Sequence, residues 1–111
     1  MALGDLEQVI LFALARLDGE AHGVAIVEEI EEHSGRRVAP GALYTVLDRL
    51  QEKGFVEGWI GDSAPERGGR RRKVYRLLPE GAQELRAWYA GIQGLAAGTL
   101  GRLDAIAEGA G

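Results

Sequence analysis

The chain contains no cysteine, which excludes a disulfide scaffold and any thiolate metal centre, and with them the small stapled domains of oxidising compartments. Nowhere does it hold the roughly 18 consecutive apolar residues of a membrane-spanning helix. Met1 to Asp5 lack the basic stretch that opens a secretory signal, so the expectation is a soluble, cytoplasmic protein with no membrane partner. Catalytic constellations are equally scarce. His22 and His33 belong to no HExxH pattern and stand beside no obvious nucleophile, and no phosphate-binding P-loop occurs. The sequence therefore argues against an enzyme and calls for no metal and no cofactor.

What is present fits one domain. The 111 residues, 46% of them apolar, suffice for a single modest core, and 17 glycines are roughly twice the ordinary usage of about 7%. The net charge of −4 conceals a strong asymmetry. Residues 1–66 sum to −8 and residues 77–111 to −2, whereas residues 67–76 carry Arg67, Arg70, Arg71, Arg72, Lys73 and Arg76 without an acid, or +6. With a Debye length of about 8 Å at physiological salt, a ligand at that segment feels the local cations far more than the distant carboxylates.

Leu6, Val9, Ile10, Ala13, Leu14 and Leu17 recur at helical spacing and predict a first helix over residues 3–17, stopped by Asp18-Gly19. A second runs from about His22 to Ser34, with Ile26, Val27 and Ile30 inward and Glu28, Glu29, Glu31 and Glu32 outward, closed by Gly35. Pro40 opens a third, whose buried stripe is Leu43, Val46, Leu47 and Leu50, ending at Gly54. The period then falls to two. Residues 55–60 and 73–78 read as a hairpin whose long tip, residues 61–72, is polar and basic.

Pro79-Glu80-Gly81 begins a last helix with Leu85, Trp88, Ile92 and Leu95 on one stripe, roughly continued by Leu103 and Ile106. Gly91, Gly94, Gly98 and Gly101 fall within it, each costing about 1 kcal/mol relative to alanine in a helix interior. Either the helix frays near Gly91 and leaves a disordered tail, or the glycine stripe lets a partner helix come close and packing offsets the penalty.

Helix, helix, helix, hairpin, helix is the order of a winged helix-turn-helix: mainly α, a three-helix core with a two-stranded wing, plus a C-terminal helix. The run Val38-Ala39-Pro40-Gly41-Ala42-Leu43-Tyr44-Thr45-Val46-Leu47-Asp48-Arg49-Leu50-Gln51-Glu52-Lys53-Gly54-Phe55-Val56 resembles the recognition-helix signature of the PadR family of bacterial transcriptional regulators. Leu6-Glu7 through His22-Gly23-Val24 resembles that family's first helix and turn, and Gly68-Gly69-Arg70-Arg71-Arg72-Lys73-Val74-Tyr75-Arg76-Leu77 its basic wing and second strand. The resemblance spans about residues 3–85. It implies a DNA-binding domain over residues 1–79 and a dimerisation helix with a Gly/Ala-rich tail over 80–111. It implies, too, a repressor that binds a palindromic operator as a homodimer. Four positions depart from the family pattern: Ala39 replaces a capping serine, Leu78 a capping threonine, and His22 and Val24 replace tyrosines.

The residues support a DNA-facing surface in their own right. Opposite the buried stripe, the third helix presents Gly41, Ala42, Tyr44, Thr45, Asp48 and Arg49, slim enough to enter a major groove about 12 Å wide. Pro40, Gly41, Ala42, Tyr44, Thr45 and Arg49, with Arg70, Arg71, Arg72 and Lys73 of the wing, are the expected contacts to double-stranded DNA. Tyr44 could instead pack against the second helix, and Arg49 could face solvent or Glu52. Dimerisation would fall to Leu85, Trp88, Tyr89, Ile92 and Leu95, supported by Leu6, Val9 and Ile10. The resemblance also implies a small aromatic effector near the dimer interface, with Trp88 and Trp59 as candidate walls. The alternative is a winged-helix protein–protein interaction module without DNA binding, for which a +6 wing has no evident use.

Overall fold

A computed structural model describes residues 3–61 and 72–109. The element order is α1 (Asp5–Arg16), β1 (Glu20–His22), α2 (Gly23–Ser34), α3 (Pro40–Glu52), β2 (Val56–Ile60), β3 (Lys73–Leu77), α4 (Pro79–Ala96) and α5 (Leu100–Gly109). Helix α1 is the hub. It packs on α2, α3 and α4 at once, so it is buried on more than one stripe: Ile10, Leu11 and Leu14 are inaccessible to solvent, and Leu3, just outside its start, is buried too. Around it close Ile26 and Ile30 of α2, Leu43, Val46, Leu47 and Leu50 of α3, Val56 and Tyr75 of the sheet, and Leu85 of α4.

The start of α1 is fixed by an acid rather than by a hydroxyl cap. The Gly4 N–H donates to Glu7 Oε1 at 2.7 Å, and the other oxygen of this buried carboxylate accepts from Lys53 Nζ at 2.6 Å, at the end of α3. Burial alone would push the Glu7 pKa up. The Lys53 ammonium, the Gly4 N–H and the nearby Arg49 charge outweigh that effect and hold it below its ordinary 4.5. A folded-state pKa below the unfolded one means a stabilisation that is complete above about pH 4.5 and fades as pH falls through the folded value. Glu7→Gln is therefore expected to cost about 2 kcal/mol at neutral pH, the worth of a hydrogen bond to a charged group. Denaturant melts of the two proteins should converge on acidification.

The wing sheet has three strands, in the order β1-β3-β2 and antiparallel throughout. The third, β1, corrects the two-stranded expectation. Asp18 and Gly19 both adopt positive φ, 63° and 85°, and turn the chain out of α1 so that Ala21 pairs with Tyr75 across β3. On the other side Tyr75 faces Gly58, where a Cβ would stand 3.0 Å from its ring. Gly58 thus lets a tyrosine be buried inside a small sheet.

Pro40 and Pro79 occupy first-turn positions of α3 and α4, as expected, and neither helix has a side-chain cap at Ala39 or Leu78. Gly81 brings the start of α4 against Phe55, the residue before β2. A Cβ there would overlap the Phe55 carbonyl and meet Leu77 Cδ1 at 3.0 Å. Since a backbone carbonyl cannot swing aside, Gly81→Ala is expected to destabilise by about 3 kcal/mol and lower the thermal midpoint by on the order of 10 °C.

The last helix proves to be two. It runs unfrayed past Gly91 and Gly94 to Ala96, breaks where Gly98 adopts φ 75°, and resumes as α5, started by Thr99, whose hydroxyl donates to the Ala96 carbonyl at 2.7 Å. No residue of α5 is buried, and the molecule measures 57 × 30 × 22 Å with this arm.

Candidate nucleic-acid interface

Helix α3 buries Leu43, Val46, Leu47 and Leu50 and leaves Pro40, Gly41, Ala42, Thr45, Asp48 and Arg49 exposed, as the sequence predicts. Nothing lies within 4 Å of where a Gly41 Cβ would be, so the first turn presents bare backbone. The Thr45 hydroxyl is directed back into the helix, donating to the Gly41 carbonyl at 2.9 Å. Tyr44 is part-exposed and also packs on the second helix. It is 41% exposed, yet its phenol lies over Gly23 at the start of α2, where any side chain would collide with it.

The wing is joined to this helix through aromatic rings. Tyr44 and Tyr75 lie 6.4 Å apart between ring centres, and Lys73 Nζ stands 5.6 Å from the Tyr75 ring. Burial, with Tyr44 and Asp48 nearby, pushes the Tyr75 phenol up to about 12, so it is an uncharged strut at any physiological pH.

The cations around this surface fall into two sets. Arg36 pairs with Asp5 at 2.9 Å, Arg37 with Glu31 at 3.5 Å and Lys53 with Glu7 at 2.6 Å. Arg76, one of the six bases of the wing segment, is ion-paired to Glu57 across the strands and covers the Trp59 ring at 5.3 Å. Arg49, Arg72 and Lys73, in contrast, make no ion pair among the described residues. Arg49 acts on Glu7 only through the field. Arg70 and Arg71 lie outside the described residues.

Of the predicted dimer residues, Ile10 and Leu85 are taken up by the chain's own core, at 0% and 5% exposure, and so support α1 and α4 from behind instead of forming a surface. Leu6, Val9 and Trp88 are partly buried against that core. Tyr89, Ile92 and Leu95 face outward. Phe12, which the sequence does not single out, meets Trp88 and Tyr89 edge-on at 6.2 and 5.6 Å and roots the arm on α1. Trp59 sits on the wing, with Arg76 over its ring at 5.3 Å, and lines a shallow hollow with Glu57 and Gly58. No helix among the described residues is long and apolar enough to cross a membrane.

The transcriptional regulator PadR-like family model matches residues 10–87. The chain belongs to this family. It is a family of regulators rather than enzymes, in line with the absence of a catalytic pattern. This PadR-like chain is 37% identical over 86 residues to Transcriptional regulator Rv3488 of Mycobacterium tuberculosis, covering 76% of this chain and 74% of that one. It is also 39% identical over 85 residues to an uncharacterized 37.1 kDa protein in transposon TN4556 of Streptomyces fradiae; the match covers 77% of this chain and only 22% of that protein. Among solved structures, a PadR family transcriptional regulator from Eggerthella lenta superposes with a TM-score of 0.69 at 28% identity, over 86% of this chain and 80% of that one. Bacillus subtilis PadR in complex with operator DNA superposes with a TM-score of 0.67 at 26% identity, over 79% of this chain and 48% of that one.

Proposed function

We propose that this PadR-like regulator is a sequence-specific DNA-binding repressor that acts as a homodimer on a palindromic operator. The observation that carries the reading is the division of the cations: among the described residues Arg49 on α3 and Arg72 and Lys73 on the wing make no ion pair, while Arg36, Lys53 and Arg76 are neutralised within the chain. Pro40, Gly41, Ala42, Tyr44 and Thr45 would enter the major groove. Arg72, Lys73 and, from the sequence, Arg70 and Arg71 would follow the phosphates towards the minor groove. Similarity to Bacillus subtilis PadR, solved on its operator, supports the same use of the fold.

Residues 1–79 would then be the DNA-binding domain and 80–111 the dimerisation arm, with Leu6, Val9, Trp88, Tyr89, Ile92 and Leu95 at or beside the interface. The aromatic group Phe12, Trp88 and Tyr89 at the root of the arm is where a small aromatic effector would act. Fluorescence anisotropy against the duplex upstream of the protein's own gene tests the reading. Each neutralised phosphate steepens the log K against log salt slope by about 0.9, so a strongly salt-dependent, saturable titration is expected. Failure to bind any such duplex at low salt would overturn it.

A further inference from the structure

Asp48 is hard to account for on a surface that meets a polyanion. It is exposed on the outward face of α3, one turn beyond Thr45, and among the described residues no cation pairs with it. Its one hydrogen bond there is long, accepted from Gln51 Nε2 at 3.4 Å. The Thr45 hydroxyl beside it is already engaged by the Gly41 carbonyl. This leaves Asp48 as the side chain on the first three turns of that face with strong unused acceptor capacity.

A carboxylate carried into a groove is repelled by the phosphates and stripped of water, so it is tolerable there only if a base donates to it. The major groove offers two such donors, cytosine N4–H₂ and adenine N6–H₂. On its open side adenine N6 has the N7 acceptor, whose lone pair would face the second carboxylate oxygen, whereas cytosine N4 has there only the C5–H edge. We infer that Asp48 is a specificity-determining residue, accepting a hydrogen bond from N4 of one cytosine in each half-site. The inference rests on the DNA-binding reading above.

Selection from a randomised duplex pool, followed by affinity measurement on the recovered sites, tests it with wild type, Asp48→Ala, Asp48→Asn and Glu52→Gln. Wild type is expected to prefer cytosine at one position per half-site by roughly tenfold, the scale of a good base contact. Asp48→Ala should lose that preference alone and bind unrelated duplex at least as tightly, one repulsive charge having gone. Asp48→Asn should shift the position to adenine, whose N6 and N7 match a carboxamide. Glu52→Gln, one turn farther along α3, should keep the cytosine. An unchanged cytosine preference in Asp48→Ala, or an equal change in affinity for every sequence, overturns the assignment. Wild-type protein that enriches no duplex overturns instead the DNA-binding reading beneath it.

Discussion

Replacing Arg70, Arg71, Arg72 and Lys73 together by alanine is expected to lower affinity for operator duplex on the order of a thousandfold near 150 mM salt. Two wings act on one duplex, so four changes remove eight positive charges from a dimer. If half of these meet phosphates, the log–log salt slope flattens by about 3.6, at roughly 0.9 per contact. Arg76→Ala is the informative control. It removes a charge of the same sign from the same segment, but one already neutralised by Glu57 and stacked on Trp59. If contact with phosphate is what matters, Arg76→Ala weakens binding less than about threefold; if only net charge steers association, it weakens binding as much as any one of the four. Titrations of the three proteins at several salt concentrations separate the cases, and a quadruple variant that binds like wild type would remove the wing from the interface.

The same residue shows where sequence reading stopped. Counting charges placed Arg76 in the basic segment, but a β-strand alternates its side chains between faces, and the neighbour opposite Arg76 is Glu57. Strand register decides which cations are free, and register is not visible in a charge count. The three core helices were legible because Leu43, Val46, Leu47 and Leu50, and the matching stripes of α1 and α2, repeat with a helical period. Strand β1 was not, since three residues hold no period; Glu20 to His22 become a strand only through pairing with β3. Periodicity also cannot say what covers an apolar face. Ile10 and Ile92 look alike in a pattern, yet one is sealed in the core and the other is 43% exposed. Tyr44 and Gly23 are far apart in the sequence, so the phenol over the glycine is a purely tertiary fact.

Ile92→Asp is expected to convert a dimer, of twice the 11.9 kDa chain mass, into monomers in light scattering. Helix α4 changes character along its length. Leu85 and Trp88 lie on α1, but beyond them Ile92, Leu95, Leu100, Leu103 and Ile106 are 43–80% exposed along with Tyr89. Burying such a side chain stabilises by about 1.5–3 kcal/mol, and a stripe of six in a monomer is a patch that lacks its cover. In a two-fold interface each substitution is made twice, so Ile92→Asp sets two carboxylates in the buried strip with no cation opposite by design. The core, which Ile92 does not enter, should keep its helical circular dichroism. The glycines sharpen the test. Around Gly91, Gly94 and Gly101 a Cβ would meet nothing in the single chain. In the monomer alone, Gly94→Ala should therefore stabilise α4 by about 1 kcal/mol. If a partner helix approaches over that stripe, the same methyl group obstructs it, and Gly94→Ala weakens the dimer while strengthening the helix. Mass against concentration for wild type, Gly94→Ala and Ile92→Asp reads both effects. A wild-type chain that stays monomeric at all concentrations, or a Gly94→Ala dimer tighter than wild type, would detach the glycine stripe from any close helix contact.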